Sequence, residues 1–377
     1  MSETETGRDG TDVGAAADEV EGRDGFPPVG AVAGLFGLYV LTIVGGFALA
    51  QPFDATGVQT FEDPGNVANV GLIFVEILIV TAVFIAIQRF GYGQQLLRLA
   101  VLAVFGYASN LAVTGTGLPG TDLAGPALGV AVFVALFAYP EWYVIDAAAV
   151  IAGAAIIAQF GNGLGPLPAL VFLVGMAAYD AYAVYVSEHM QQLGGGIGEL
   201  KLPMMYVVPP TLSFSMSELG DPFEEAEEDA EPEEVGETDG ERVEAGEVSE
   251  DGERVEAGEA SEDGETGDDG MEEADRPAPG EDTPILLGLG DAIVPGLLAV
   301  SAGQFLPADP LIAGTILNAP ALGAIVGSVV GLAGLTVLLY AIERAHAGLP
   351  VLNACVIAGY LAGALAAGVP VATALGL

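Results

Sequence analysis

Apolar residues in this chain gather into long runs, and polar, Pro-rich and Gly-rich breaks separate one run from the next. Nine runs emerge: Val29–Ala50, Asn66–Gln88, Leu96–Thr114, Thr121–Tyr139, Trp142–Phe160, Pro166–Val186, Pro284–Gly303, Ala319–Ile342 and Val351–Leu375. About 20 apolar residues cross a bilayer as a helix, because no other open structure satisfies its backbone in hydrocarbon. The pattern therefore predicts an all-α membrane protein of nine transmembrane helices, arranged six plus three. A long interval, 189–283, separates the two groups.

The breaks differ in character. Residues 1–27 are polar and acidic with no apolar core, which predicts a disordered tail rather than a signal peptide. The first part of the long interval, Leu200–Phe214, reads LKLPMMYVVPPTLSF and is apolar, β-prone and bounded by prolines. From about residue 217 the interval is acidic and of low complexity, with GERVEAGEVSED from Gly240 followed by GERVEAGEASED from Gly252. Such a stretch buries too little apolar surface to offset its chain entropy, so a disordered acidic loop is expected. The organisation is thus 1–27 tail, 28–188 helices one to six, 189–283 linker and 284–377 helices seven to nine.

Charge sharpens this picture. The chain has 377 residues, 52% of them hydrophobic, and a formal net charge of −42 that lies mainly in the tail and between Glu218 and Asp282. That excess argues against a nucleic-acid partner, because phosphate is repelled. Acidic, lysine-poor surfaces also suggest a salt-loving prokaryote. With nine spans, Arg8, Arg23, Arg89, Arg98, Lys201, Arg242, Arg254, Arg276 and Arg344 all fall on one side. The positive-inside rule makes that side, with the N-terminus and the 6–7 loop, cytoplasmic in a multi-pass cell-membrane protein. The lone Cys355 forms no disulfide within the chain, and His189 and His346 lack companions at ligand spacing. Neither a metal nor a cofactor is expected.

Four carboxylates fall within the spans: Glu76, Asp146, Asp180 and Asp291. An ionisable group at bilayer depth is a functional candidate. Glu76 lies mid-span, and Asp146 is close enough to Trp142 to reach the interface. A structural or interfacial role is expected for both. Asp180 lies about six residues before the end of the sixth span and Asp291 about seven after the start of the seventh. At 1.5 Å per residue both stand roughly 10 Å from one membrane face. Two carboxylates in a low-dielectric site share a proton and titrate as a unit. The ionised one takes a proton from water while the protonated one polarises a peptide carbonyl. Gly288 and Gly290 before Asp291 remove bulk, letting a substrate backbone approach, or serve close helix packing. Tyr179 beside Asp180 either contacts the acid pair or packs in the bundle.

Tyr179-Asp180 in the sixth span, with Gly288-Leu289-Gly290-Asp291 in the seventh, resembles the presenilin and signal-peptide-peptidase family of intramembrane aspartyl proteases. GLGDAIVPG resembles the signal-peptide-peptidase branch in particular. Nine spans with a long variable loop between the sixth and seventh match that architecture. The resemblance implies catalysis by Asp180 and Asp291, supported by Tyr179, Gly288, Leu289 and Gly290, on transmembrane or signal-peptide substrates within the lipid bilayer. A homo-oligomer is compatible with it.

The family's Pro-Ala-Leu motif at the ninth helix is expected at Gly348, Leu349 and Pro350 in diverged form, as a turn that holds substrate. The strings at Pro126, Pro168 and Pro320 precede other helices. Met204–Val208 either pairs with an unwound substrate or, the more expected course, lies on the membrane surface. A proton- or ion-coupled transporter using buried carboxylates is the alternative from another class. A prepilin-type peptidase, the nearest other GxGD enzyme, has fewer spans and lacks the Tyr-Asp pair one helix earlier.

Overall fold

Long apolar segments free of internal polar breaks wind into helices, whose backbone groups pair internally. The computed structural model describes residues 29–58, 60–89, 93–185, 204–209, 211, 214–216, 284–341 and 348–377. The acidic tail, the acidic loop, Lys201 and Arg344 lie outside the described residues. Six helices come first: α1 (Val29–Thr56), α2 (Ala68–Arg89), α3 (Gly93–Thr114), α4 (Thr121–Ala138), α5 (Trp142–Gly163) and α6 (Pro166–Tyr185). Strand β1 (Met205–Val208) follows, then β2 (Ile285–Gly288), α7 (Gly290–Phe305), α8 (Ala319–Ala341), α9 (Gly348–Ala366) and the short α10 (Val371–Ala374).

Seven of the helices, α1, α3, α4, α5, α6, α8 and α9, are long and apolar enough to cross a membrane. The apolar stretch of α2 is shorter, Ala68–Val83, and α7 has 16 residues.

Three expected spans are corrected. Helix α1 continues past Ala50 to Thr56 with Pro52 inside it. The seventh span opens as a strand and turns helical only at Gly290, because Gly288 and Gly290 punctuate a segment whose first residues find a partner strand. The ninth begins at Gly348 rather than Val351 and ends at Ala366, where Gly368 takes a positive φ of 72° that turns the chain into α10.

The helices are held by apolar packing and by a few buried amides. Asn162 Nδ2 donates to the Ala50 carbonyl at 2.7 Å, tying α5 to α1. Asn318 caps α8, its Oδ1 accepting from the Ala321 N–H at 2.9 Å, while its Nδ2 donates to the Ala302 carbonyl of α7. Asn353 Nδ2 donates to the Leu173 carbonyl at 2.9 Å, tying α9 to α6. In an apolar surrounding such bonds fix which helix faces meet.

The α8–α9 contact is closest, and glycine makes it possible. A Cβ on Gly323 would collide with the Gly359 carbonyl oxygen, one on Gly359 with that of Gly323, and one on Gly363 with that of Ala319. Backbone against backbone leaves no room for a side chain. Gly359→Val is expected to force the helices apart and to lower stability by about 1–3 kcal/mol, the range for overpacking. A thermal melt in detergent checks this. An unchanged Tm would mean that the contact is looser than it stands here.

Candidate active site

The site is assembled from the ends of elements. β1 and β2 pair antiparallel, Met205 opposite Gly288, Tyr206 opposite Leu287, Val207 opposite Leu286 and Val208 opposite Ile285. A two-stranded ladder is marginal by itself, so its surroundings must hold it. Tyr206, Val207 and Val208 are buried, and β1 packs on α5 and α1. This corrects the expectation that Met204–Val208 lies on the membrane surface. Its apolar side chains find the protein core, and its backbone finds a second strand only after the chain returns at residue 284.

The ladder delivers the chain to Asp291. Leu289 N–H donates to the Met204 carbonyl at 2.9 Å, closing the sheet. Helix α7 then begins at Gly290, and Asp291 occupies its first turn. Asp291 therefore stands farther from residue 284 than the roughly 10 Å that a helical start would give. Four of the residues before Asp291 are extended, rising about 3.3 Å each rather than 1.5 Å. Pro295, four residues on, has no N–H to give the Asp291 carbonyl, which loosens that first turn.

Neither Gly288 nor Gly290 is required by the protein's own packing or backbone. A Cβ on Gly288 would meet only Asp291, its Oδ2 at 3.4 Å, and one on Gly290 would meet nothing within 4 Å. Neither has a positive φ. Both stand exposed beside the acid, whereas Leu289 between them is buried.

Asp180 reaches the same place from the other side. Helix α6 packs on α7, and the Asp180 charge acts on Asp291. Both acids are part-buried. Asp180 Oδ2 accepts the Leu349 N–H at 3.0 Å. Leu349 is the second residue of α9, so this N–H is one of the four that a helix cannot satisfy internally. Both carboxylates thus stand at helix N-termini, Asp291 at its own and Asp180 at that of α9, where backbone dipoles favour negative charge. Gly348, Leu349 and Pro350, expected as a turn, form the first turn of α9, a position where proline costs little. The other Pro-Ala-Leu strings lie within α4, α6 and α8.

Behind Asp291 is a hydroxyl cluster that sequence reasoning missed. Tyr39 and Tyr206, both fully buried, lie within reach of its charge. Thr42 Oγ1 gives its proton to the Leu38 carbonyl at 2.9 Å, so Tyr206 is the donor in the 2.7 Å Tyr206–Thr42 bond. Burial pushes the Tyr206 hydroxyl above its ordinary pKa and keeps that proton in place. These residues come from α1 and β1, far from the acids in sequence, and no motif marks them.

Tyr179, in contrast, is 56% exposed on α6 and is not packed in the bundle. Glu76 is exposed on α2. Asp146, expected near the interface, is 4% exposed and accepts the Val207 N–H on Oδ1 at 2.8 Å. The β-prone segment folds back over α5 and covers it, in keeping with the structural one of the two roles expected. Among the described residues no group of three or more His, Cys, Asp or Glu is placed to hold a metal.

Comparison with known proteins gives this arrangement its class. Residues 36–369 match the family described as signal-peptide peptidase, presenilin aspartyl protease. A solved structure of a presenilin family intramembrane aspartate protease, in a C222 crystal form, aligns with a TM-score of 0.52 and 26% identity, over 89% of this chain and 98% of that one. The same description in a P2 form aligns with a TM-score of 0.51 and 26% identity, over 89% and 97%. No curated protein matches the chain. Fold and family together define a multi-pass membrane hydrolase, an intramembrane aspartyl protease. The chain belongs to the signal-peptide peptidase, presenilin aspartyl protease family. The transporter reading finds no support in these comparisons.

Proposed function

We propose that Asp180 and Asp291 are the catalytic pair, cleaving transmembrane segments or signal-peptide remnants with water activated between them. The observation that carries this is the meeting of three helix ends. Asp291 opens α7, Asp180 lies on the adjacent α6, and the α9 N-terminus donates Leu349 N–H to Asp180. One carboxylate abstracts a proton from water as the other, protonated, hydrogen-bonds the scissile carbonyl. Gly288 and Gly290 leave the approach to Asp291 open. Gly348, Leu349 and Pro350 orient Asp180 and flank the substrate, and exposed Tyr179 is available to contact it.

A substrate helix hides its peptide bonds and must be extended to react. Among the described residues β2 has no strand on its second edge, which supports an extended docking mode. Because residues 289 and 204 are a bonded pair, alternation turns the Leu287 and Ile285 backbone groups toward β1 and those of Leu286 and Gly288 outward. That edge runs directly into Asp291. Met204–Val208, the less expected alternative for substrate pairing, does not offer that edge, because β1 pairs with β2 on one side and gives its Val207 N–H to Asp146 on the other.

The same reading takes all nine helices α1–α9 as crossings, with the N-terminus and the 6–7 loop cytoplasmic. The two strands and the acid pair then lie toward that side.

The test is incubation of the purified protein in detergent with synthetic signal peptides, followed by mass spectrometry of the fragments. Cleavage within the apolar core of the peptide is expected; intact peptide at every enzyme concentration would overturn the reading. In the same assay Leu286→Pro removes one outward N–H and little packing, since Leu286 is 50% exposed. It should lower kcat/KM by about 3- to 10-fold, the value of one hydrogen bond, with Tm preserved. Full activity would remove β2 as the docking edge.

A further inference from the structure

The loop after α6 is fastened to the beginning of α5 by side chains that no protease motif includes. Trp142 Nε1 donates to the Phe214 carbonyl at 3.1 Å. Glu141 accepts from Ser215 Oγ at 2.8 Å and from the Met216 N–H at 3.1 Å. One turn further along α5, Asp146 accepts the Val207 N–H at 2.8 Å. The first three bonds hold the loop's trailing end. Only the Asp146 bond falls within β1 itself.

Its position in the ladder matters. Successive residues of a strand direct their backbone groups to opposite edges. Met204, Tyr206 and Val208 pair with β2, which leaves the Val207 N–H pointing toward α5, where Asp146 is the acceptor. A slip of one residue would bring that N–H to the β2 side and turn every side chain over. Tyr206 would then lose Thr42. In a slipped register a neighbouring N–H would face Asp146 instead, so the slip is opposed by the loss of Tyr206–Thr42 and of the buried faces, while Asp146, costly if left without a donor, holds the outer edge of β1 against α5. Register along β1 sets register along β2, and β2 leads into Asp291 through two residues, Leu289 and Gly290.

We propose that Asp146 is a positioning residue that anchors the outer edge of β1 on α5, and so fixes where the β1–β2 ladder presents a substrate peptide bond to the acid pair. This rests on the proposed docking of substrate along β2. The role of Asp146 is that of a hydrogen-bond acceptor for the Val207 N–H. An amide oxygen can replace it, whereas a methyl group cannot.

The experiment compares wild type, Asp146→Asn, Asp146→Ala and Val207→Pro on one synthetic signal peptide, reading kcat, KM and the distribution of cleavage positions by mass spectrometry. Asp146→Asn should keep the wild-type cleavage positions and a kcat/KM within about 3-fold. Asp146→Ala should raise KM about tenfold and spread cleavage over neighbouring bonds. Val207→Pro removes the donor instead of the acceptor and should spread cleavage in the same way, which keeps the test open if the alanine variant does not fold. The Asp146→Ala, Val207→Pro double variant should be no worse than the poorer single variant, as expected for two halves of one bond.

The proposal is overturned if asparagine is as damaging as alanine, or if neither alanine nor proline alters the cleavage positions. Asp180→Asn and Asp291→Asn run in parallel separate the two readings. Activity in those variants would defeat the catalytic assignment. Inactivity there, with unaltered cleavage positions in the Asp146 and Val207 variants, would defeat the anchoring role of Asp146 alone.

Discussion

Asp291→Asn and Asp180→Asn should each abolish peptide hydrolysis, with losses of about 10²–10⁴-fold or more, the contribution of a positioned acid or base. The substitution is nearly isosteric and removes the carboxyl group's ability to exchange a proton. In Asp180→Asn the new amide oxygen would still accept the Leu349 N–H, so the α6–α9 contact should survive. In Asp291→Asn the side chain would keep its place in the first turn of α7 beside Gly288. Both variants should therefore melt at or near the wild-type temperature. The double variant should be scarcely worse than either single one, because residues acting as a unit are non-additive. Fragment analysis on folded protein decides the matter. Full turnover in either variant would remove that residue from catalysis.

The second large effect comes from a backbone group. Leu349→Pro deletes the N–H that binds Asp180 Oδ2, and it does so at the second residue of α9, where proline is tolerated and where Pro350 already follows. A hydrogen bond to a charged group contributes about 1.5–3 kcal/mol, so kcat/KM should fall by roughly 10- to 150-fold. Leu349→Ala keeps the N–H and should lose far less. If alanine were as damaging as proline, the leucine side chain rather than its amide would be the active element. This contrast separates orientation of Asp180 from contact with substrate. A motif of side-chain letters does not reveal it.

In the proposed reading, a backbone donor would let the turn at Gly348, Leu349 and Pro350 depart from Pro-Ala-Leu without losing its bond to Asp180. What Asp180 receives is a peptide N–H at a helix N-terminus, and any residue but proline at position 349 supplies one. Position is what matters, and α9 is positioned elsewhere. Asn353 bonds α6 one turn later, and the glycine contact with α8 fixes the helix along its length. The glycine stripes and the buried asparagine are therefore indirect supports of the site.

The membrane class, the helices and the acid candidates were all legible in the chain itself. Apolar runs of bilayer length leave the backbone one way to satisfy its hydrogen bonds, and the four carboxylates within such runs are costly enough there to be candidates. Gly288 and Gly290 before Asp291 read in the sequence either as an open approach or as close helix packing, and the space around both shows that packing does not require them. Local pattern, however, does not report pairing between distant segments. The string ILLG before Asp291 reads equally well as the start of a helix or as a strand; only its partner MYVV, some 80 residues earlier, made it a strand. For Asp146 the sequence left a structural and an interfacial role open, and only the returning β1 segment that buries it bears on the choice. Tyr39, Thr42 and Tyr206 carry no signature because their significance lies in being brought together from α1 and β1. Composition and periodicity decided what lies in the bilayer and which groups are expensive there; tertiary contact alone decided which of those groups face one another, since a hydrogen bond across 60 or 170 residues leaves no trace in local sequence.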